Sequence, residues 1–394
     1  MGDATAVRAV NALTAGWAGQ ALRPGRETVL SAAGVWPLLA LLAAGSGGPA
    51  RDDLERATGI GAGEAAEAAG RLLARMDGLP GVAAAVGLWS KATLPLEPGW
   101  VGMLPPASHG MLSGDVAADR AAMDAWADKR TGGLVPGLPI PFDEETELVL
   151  AGALTVRTDW LRPFTEVSGV LYRETALLDR TEVVAAPCGP VTVLKVLGTG
   201  GIDVHLLRGE AGTGGGEVLA AGIGALRRAH PAVPGDRLPY GEPGPGVTVS
   251  RVCSWDRQPS LDVTVVPFEV TAHHDLLDHA ELFGLALAVD TSRGHFPGIS
   301  RNPLAVGAAG QTVAASFSAL GYRSAAVTAF GFAAGGVPPA TAKRVAVEFA
   351  GPIGFLAVHR TSRLVLNAGW VCTPSVDEMW AGHDEEDEDW DDQG

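Results

Sequence analysis

The sequence predicts an α+β fold built on antiparallel sheets, and three features carry that prediction. Helical segments fill the first half of the chain. Strands joined by Gly- and Pro-containing turns fill the part after Thr181. No internal repeat and no linker divides the 394 residues, although length alone would suggest two or three domains. The opening stretch MGDATAVRAVNALTAGWAG reads as an amphipathic helix. Residues 27–44 are almost all apolar, as expected of a helix buried inside a large domain, and Gly45, Gly47, Gly48 and Pro49 end it. Ala50–Ala57 begins another amphipathic piece, and a further helix over Ala117–Lys129 sets Met123 and Trp126 on one face. Leu148–Val156 reads as a buried strand, and Val191–Val196, Ile202–Leu207, Val247–Val252 and Leu261–Val270 as strands of the second half. Gly212–Gly216 reads as a hairpin tip, since no phosphate-binding glycine pattern closes on it.

Composition narrows the classes of function. The chain is 47% hydrophobic and 19% charged, without an apolar run long enough to cross a bilayer, so no membrane partner is expected. Of the net charge of −16, ten acidic residues lie from Asp377 onward with no Lys or Arg among them, which leaves −6 on the body. The segment 376–394 is too acidic and too polar to fold by itself and is expected to be a disordered tail, for solubility or for docking a basic partner. Lys and Arg form no stripe, which argues against nucleic-acid binding. Cys188, Cys253 and Cys372 are odd in number and lack a CxxC pattern, as for reduced structural thiols. Arg8 stands without a cationic cluster leading into an apolar run, so a cytoplasmic protein is expected. His273, His274, Asp275, Asp278 and His279 are the densest metal-capable set, but Asp275 as a helix N-cap explains the acids more simply. No hydrolase motif is present, and neither catalysis nor a cofactor is expected.

Six separated segments resemble, in order, the serpin family. They are Ser31–Leu54 (SAAGVWPLLALLAAGSGGPARDDL), Met123–Leu134 (MDAWADKRTGGL), Leu148–Phe164 (LVLAGALTVRTDWLRPF, with Trp160, Pro163 and Phe164), Val266–Leu285 (VPFEVTAHHDLLDHAELFGL), Phe296–Ser300 (FPGIS) and Pro352–Pro374 (PIGFLAVHRTSRLVLNAGWVCTP). The resemblance, to a divergent bacterial-type member, implies one monomeric domain over residues 1–375. It also implies three antiparallel-rich sheets, about nine helices and an exposed reactive-centre loop between Gln311–Leu320 and a strand at Val345–Phe349. Family members offer that loop as bait to serine or cysteine peptidases. After acylation the cut loop enters the large sheet as a new strand, releasing strain stored in a metastable fold.

Carried over residue by residue, the hinge of the loop is Gly321, Tyr322, Arg323, Ser324, Ala325, Ala326, Val327 and Thr328. Small residues at Ser324–Ala326 suit a segment that slides between strands, whereas Tyr322 stands where inhibitors place a small Thr or Ser, and overpacking there costs roughly 1–3 kcal/mol. The family's spacing puts the scissile bond near Gly335–Gly336. Phe332 would suit a chymotrypsin-like peptidase, and Lys343 or Arg344, which more simply flank the next strand, a trypsin-like one. The region where the sheet parts is carried by Ser31, Gly34, Gly152, Trp160 and Gln311, with Gly34, Gly152 and Gln311 replacing the family's Ser, Asn and His. Loss of those polar groups would weaken the cluster that holds the sheet closed. The expectation is therefore an intracellular serpin-type inhibitor. The alternative is a non-inhibitory scaffold recruited for small-molecule binding or catalysis, for example in a biosynthetic pathway.

Overall fold

The computed structural model describes residues 2–105, 109–133, 135, 137–138, 140–255, 257–321 and 340–373. The first half is helical, as its periodicity requires. Helix α1 (Gly2–Ala21) buries Val7, Val10, Leu13, Trp17 and Ala18, the spacing of one helical face. The apolar run after it is broken: Thr28–Leu30 forms strand β1, Ser31 turns the chain, and helix α2 (Ala32–Gly45) follows, buried over most of its length. Helix α3 (Gly48–Thr58) ends on Gly59 at φ 67°, and helix α4 (Ala62–Asp77) packs on α2. Two short elements follow strand β2 (Val82–Lys91): helix α5 (Pro98–Val101) and strand β3 (His109–Leu112). Helix α6 (Val116–Thr131) starts on Asp115, whose carboxylate accepts from the N–H of Ala117 and Ala118. Met123 is buried and Trp126 stands edge-on to Trp89, with ring centroids 5.2 Å apart, as the shared face predicts.

The strands form four groups. One sheet has seven strands in the order β1, β18 (Val365–Cys372), β17 (Pro352–His359), β9 (Ile202–Arg208), β8 (Gly189–Leu197), β7 (Thr181–Ala186) and β10 (Ala232–Pro234), and every neighbouring pair in it is antiparallel. A second has six in the order β11 (Gly241–Gly244), β12 (Val247–Ser254), β16 (Ala340–Phe349), β13 (Ser260–Val265), β6 (Val170–Thr175) and β5 (Thr165–Val167). The third is β3, β2 and β4 (Leu148–Val156), and the fourth is the pair β14 (Phe268–Asp275) and β15 (Gly310–Phe317). One contiguous buried cluster runs from Ala6 to Val371 between the seven-stranded sheet and helices α1, α2, α4 and α7 (Gly215–Leu226).

Several expectations are corrected. The Gly212–Gly216 segment is no hairpin tip: Gly214 caps α7, and a Cβ at Gly216 would lie 2.9 Å from the Ala18 carbonyl oxygen, so the glycines admit α1 close to the helix start. The run Leu261–Val270 is two strands, β13 and β14, which join different sheets on either side of Pro267, a residue with no N–H to donate. Lys343 and Arg344 lie inside β16 rather than flanking it. Among the described residues there are seven α-helices and four 3-10 turns, where the resemblance implies about nine helices. In place of one large sheet the third and fourth groups face each other across a gap.

Candidate functional site

Of the sequence-predicted residues, Ser31, Gly34, Gly152 and Gln311 line the gap. Among the described residues β4 is paired only to β2 and β15 only to β14, so each presents an unpaired edge to the other. Between them lies a cavity of about 680 Å³, walled by Leu148–Leu154 of β4 and Gly310–Val313 of β15 and floored by Ser31, Gly34, Val35 and Leu38 of the α2 region. Unpaired backbone edges facing each other are the template that a further strand completes.

At the floor Ser31 holds the gap's geometry. Its hydroxyl caps α2 by accepting from the Gly34 N–H (3.2 Å) and donates to the Leu366 carbonyl (2.6 Å). The Gln311 side-chain amide closes a reciprocal pair on the Ser31 backbone: Oε1 accepts from the Ser31 N–H and Nε2 donates to the Ser31 carbonyl, both at 2.9 Å. This fastens β15 to the start of α2 instead of to β4. Gly34 and Gly152 sit beside it. A Cβ at Gly152 would come 3.0 Å from the Gly34 carbonyl oxygen, and one at Gly34 3.2 Å from Gln311 Nε2. The two glycines thus let β4 approach α2 closely, and Gln311 supplies a polar link beside them. Opposite Gln311 in register, His274 Nε2 donates to the Val29 carbonyl (2.8 Å) while its ring stands against Trp17 at 5.0 Å. Burial pushes the His274 imidazole below its ordinary pKa, so it is a neutral donor there. Its neighbour His273 is on the other side of the strand, bonded to Thr312 (2.9 Å), and Asp275 caps the turn Leu276–His279 by accepting from the Leu277 N–H (2.8 Å). These contacts account for His273, His274 and Asp275.

Replacing Gln311 with Ala strips both partners from the buried Ser31 peptide groups. We expect a loss of about 1–3 kcal/mol in urea unfolding, and an equal or larger loss for Gln311→Glu, which keeps the acceptor but turns the donor into a carboxylate facing the Ser31 carbonyl. Unfolding midpoints unchanged from the wild type would show that the amide pair contributes nothing.

The upper end of the gap is shut. Trp160 Nε1 donates to the Ser318 carbonyl (2.8 Å), the Trp160 N–H to the Leu320 carbonyl (2.9 Å) and the Phe164 N–H to the Ala319 carbonyl (2.8 Å). The Trp160 ring tilts against Phe317 at 4.9 Å, and Asp159 bridges Gly321, where a Cβ would lie 2.6 Å from the Thr158 carbonyl oxygen. Trp160 therefore ties the segment after β4 to the end of β15, above the gap. Of the hinge only Gly321 is among the described residues. Tyr322, Arg323, Ser324, Ala325, Ala326, Val327 and Thr328 lie outside them, as do the scissile-bond candidates Phe332, Gly335 and Gly336 and the acidic tail.

The strands on either side of residues 322–339 are held unequally, which sequence reasoning did not anticipate. Strand β15, before that segment, is paired on one edge among the described residues. Strand β16, after it, threads between β12 and β13: Val247–Ser254 pairs antiparallel with Ala340–Val347, and Ser260–Val265 pairs parallel with Arg344–Phe349. Val247–Val252 was legible as a strand, but its partner lies about ninety residues away along the chain.

With this geometry in hand, comparison with known proteins is informative. The family model "Serpin (serine protease inhibitor)" matches residues 12–169. Serpin-ZXA of Oryza sativa subsp. japonica is 32% identical over 176 residues, which is 41% of this chain and 44% of that protein, so the matched region spans less than half of that relative's length. Solved structures agree over nearly the whole chain at low identity. Thyroxine-binding globulin in complex with thyroxine superposes with TM-score 0.69 at 14% identity, covering 94% of this chain and 99% of that one. Native protease nexin-1 with heparin gives 0.68 at 14%, covering 95% and 99%. The thermophilic serpin tengpin in its native state gives 0.70 at 13%, covering 93% and 94%. The family-model match, the partial relative and the shared architecture converge on one conclusion: the chain has the serpin fold, and its residues 12–169 are similar in sequence to serpins.

Proposed function

We propose that the protein is an intracellular inhibitor of serine or cysteine peptidases that acts by cleavage and insertion of the loop between Gly321 and β16. The observation that carries this reading is the parted pair of edges, β4 and β15, beside the anchored loop root. A strand entering there gains ladders on both sides, and the gain is withheld until the chain is cut, because β16 is held by two neighbours. The apolar walls of the same cavity support a second reading, a scaffold that holds a small molecule between the sheets. Incubation with chymotrypsin-, trypsin- and subtilisin-like peptidases separates the two. An inhibitor forms a complex of summed mass that survives denaturing electrophoresis, whereas cleavage with undiminished turnover by every peptidase assigns the chain to the second reading.

A further inference from the structure

Three arginines lie close together outside the gap. Arg173 lies on β6, on the face that turns inward with Leu171 and Thr175. Its guanidinium covers the Phe164 ring at 4.2 Å and donates through Nη1 to the Arg162 carbonyl (2.8 Å), while Nε is buried and has no hydrogen-bond partner among the described residues. Arg162 in turn donates to the Thr175 hydroxyl (3.2 Å), two residues along the strand from Arg173. Arg180 completes the group on the short turn after β6, paired with its exposed neighbour Asp179 at 3.2 Å.

No carboxylate offsets Arg173 or its neighbour Arg162. Among the described residues neither Arg162 nor Arg173 forms an ion pair. Glu174 alternates to the opposite face of β6, and Glu182 is engaged by Lys195 at 2.9 Å. Burial, and then the charges of Arg162 and Arg180, press the Arg173 guanidinium down to about 10. A partly buried cation facing two more cations, with one N–H unpaired, is costly unless an anion joins it. Guanidinium groups present their N–H donors in a planar fork that matches phosphate and sulfate oxygens.

We propose that Arg162, Arg173 and Arg180 form a binding site for a small tetrahedral oxyanion, a phosphate or sulfate group either free or as a monoester. The site is distinct from the gap and stands whether or not the loop inserts. It adjoins the loop root through Phe164, whose ring Arg173 covers and whose N–H holds Ala319.

The test is thermal unfolding of the intact protein in inorganic phosphate, in sulfate and in glycerol phosphate, each against chloride at equal ionic strength. An anion present at roughly ten times its Kd raises the melting temperature of a chain this size by about 2 °C. The shift should disappear in Arg162→Gln/Arg180→Gln, a pair of substitutions at the outer members of the cluster, and persist in Arg251→Gln, an exposed arginine on another strand. Melting of the double variant in chloride close to that of the wild type verifies that it folds. A shift confined to glycerol phosphate would assign the site to monoesters, and a shift shared with inorganic phosphate to the oxyanion itself. Equal melting in all four salts, or a phosphate shift that survives the double substitution, would overturn the proposal.

Discussion

Nicking the chain between residues 322 and 339 is expected to raise its melting temperature by roughly 10–15 °C. The intact structure leaves the edges of β4, with nine residues, and β15, with eight, unpaired across an apolar cavity of about 680 Å³. An inserted strand makes hydrogen bonds on both sides, each worth about 0.5–1.5 kcal/mol net, and replaces empty volume with packed side chains. Against this stands the ordering of about eight residues at 1–2 kcal/mol each. A surplus on the order of 10 kcal/mol corresponds, in a domain of this size, to the stated shift. The uncut chain cannot collect it fully, because drawing the loop down requires β16 to leave both β12 and β13. A synthetic peptide spanning Gly321–Phe330 should occupy the same gap, stabilise the intact protein and abolish the further gain on nicking. Were cleaved and uncleaved samples to melt together, and the peptide to bind neither, insertion would be excluded and the cavity would be left to a small-molecule ligand.

How much of this was legible follows from where the information resides. Strand β4 was read to the residue, because a run of nine apolar and β-branched positions between polar segments is a local signal. Trp160 and Gln311 were singled out by motif position, and the structure places them at opposite ends of the gap with defined partners. The rest depends on long-range pairing. That Gln311 bonds the backbone of Ser31 rather than β4, or that β16 intercalates between β12 and β13, is written in no local periodicity. The break at Pro267 was missed because Leu261–Val265 and Phe268–Val270 are both apolar and β-prone, so the run looked continuous; the proline was the available signal. The arginine cluster was invisible for a related reason. Its members are scattered over nineteen positions and become neighbours only when β6 folds against the segment after Trp160.

Trp160→Ala is expected to carry the largest effect of any single substitution. The residue is 4% exposed, fills space against Phe317 and ties the loop root through both its indole and its backbone N–H. Removing a buried indole costs about 3–5 kcal/mol, which lowers the melting temperature of the intact chain by roughly 4–6 °C. The more informative variant is Trp160→Phe, which keeps a ring on Phe317 but removes the Nε1 donor to the Ser318 carbonyl, at about 1 kcal/mol. If the indole is a latch, that loss falls on the closed mouth of the gap, and the Gly321–Phe330 peptide should anneal to Trp160→Phe about fivefold faster than to the wild type. A role in packing alone predicts something else: Trp160→Phe would anneal at the wild-type rate, and only Trp160→Ala would change, in step with its lost stability. The annealing rate therefore separates a strand gate held by one hydrogen bond from a core residue that happens to lie beside the loop.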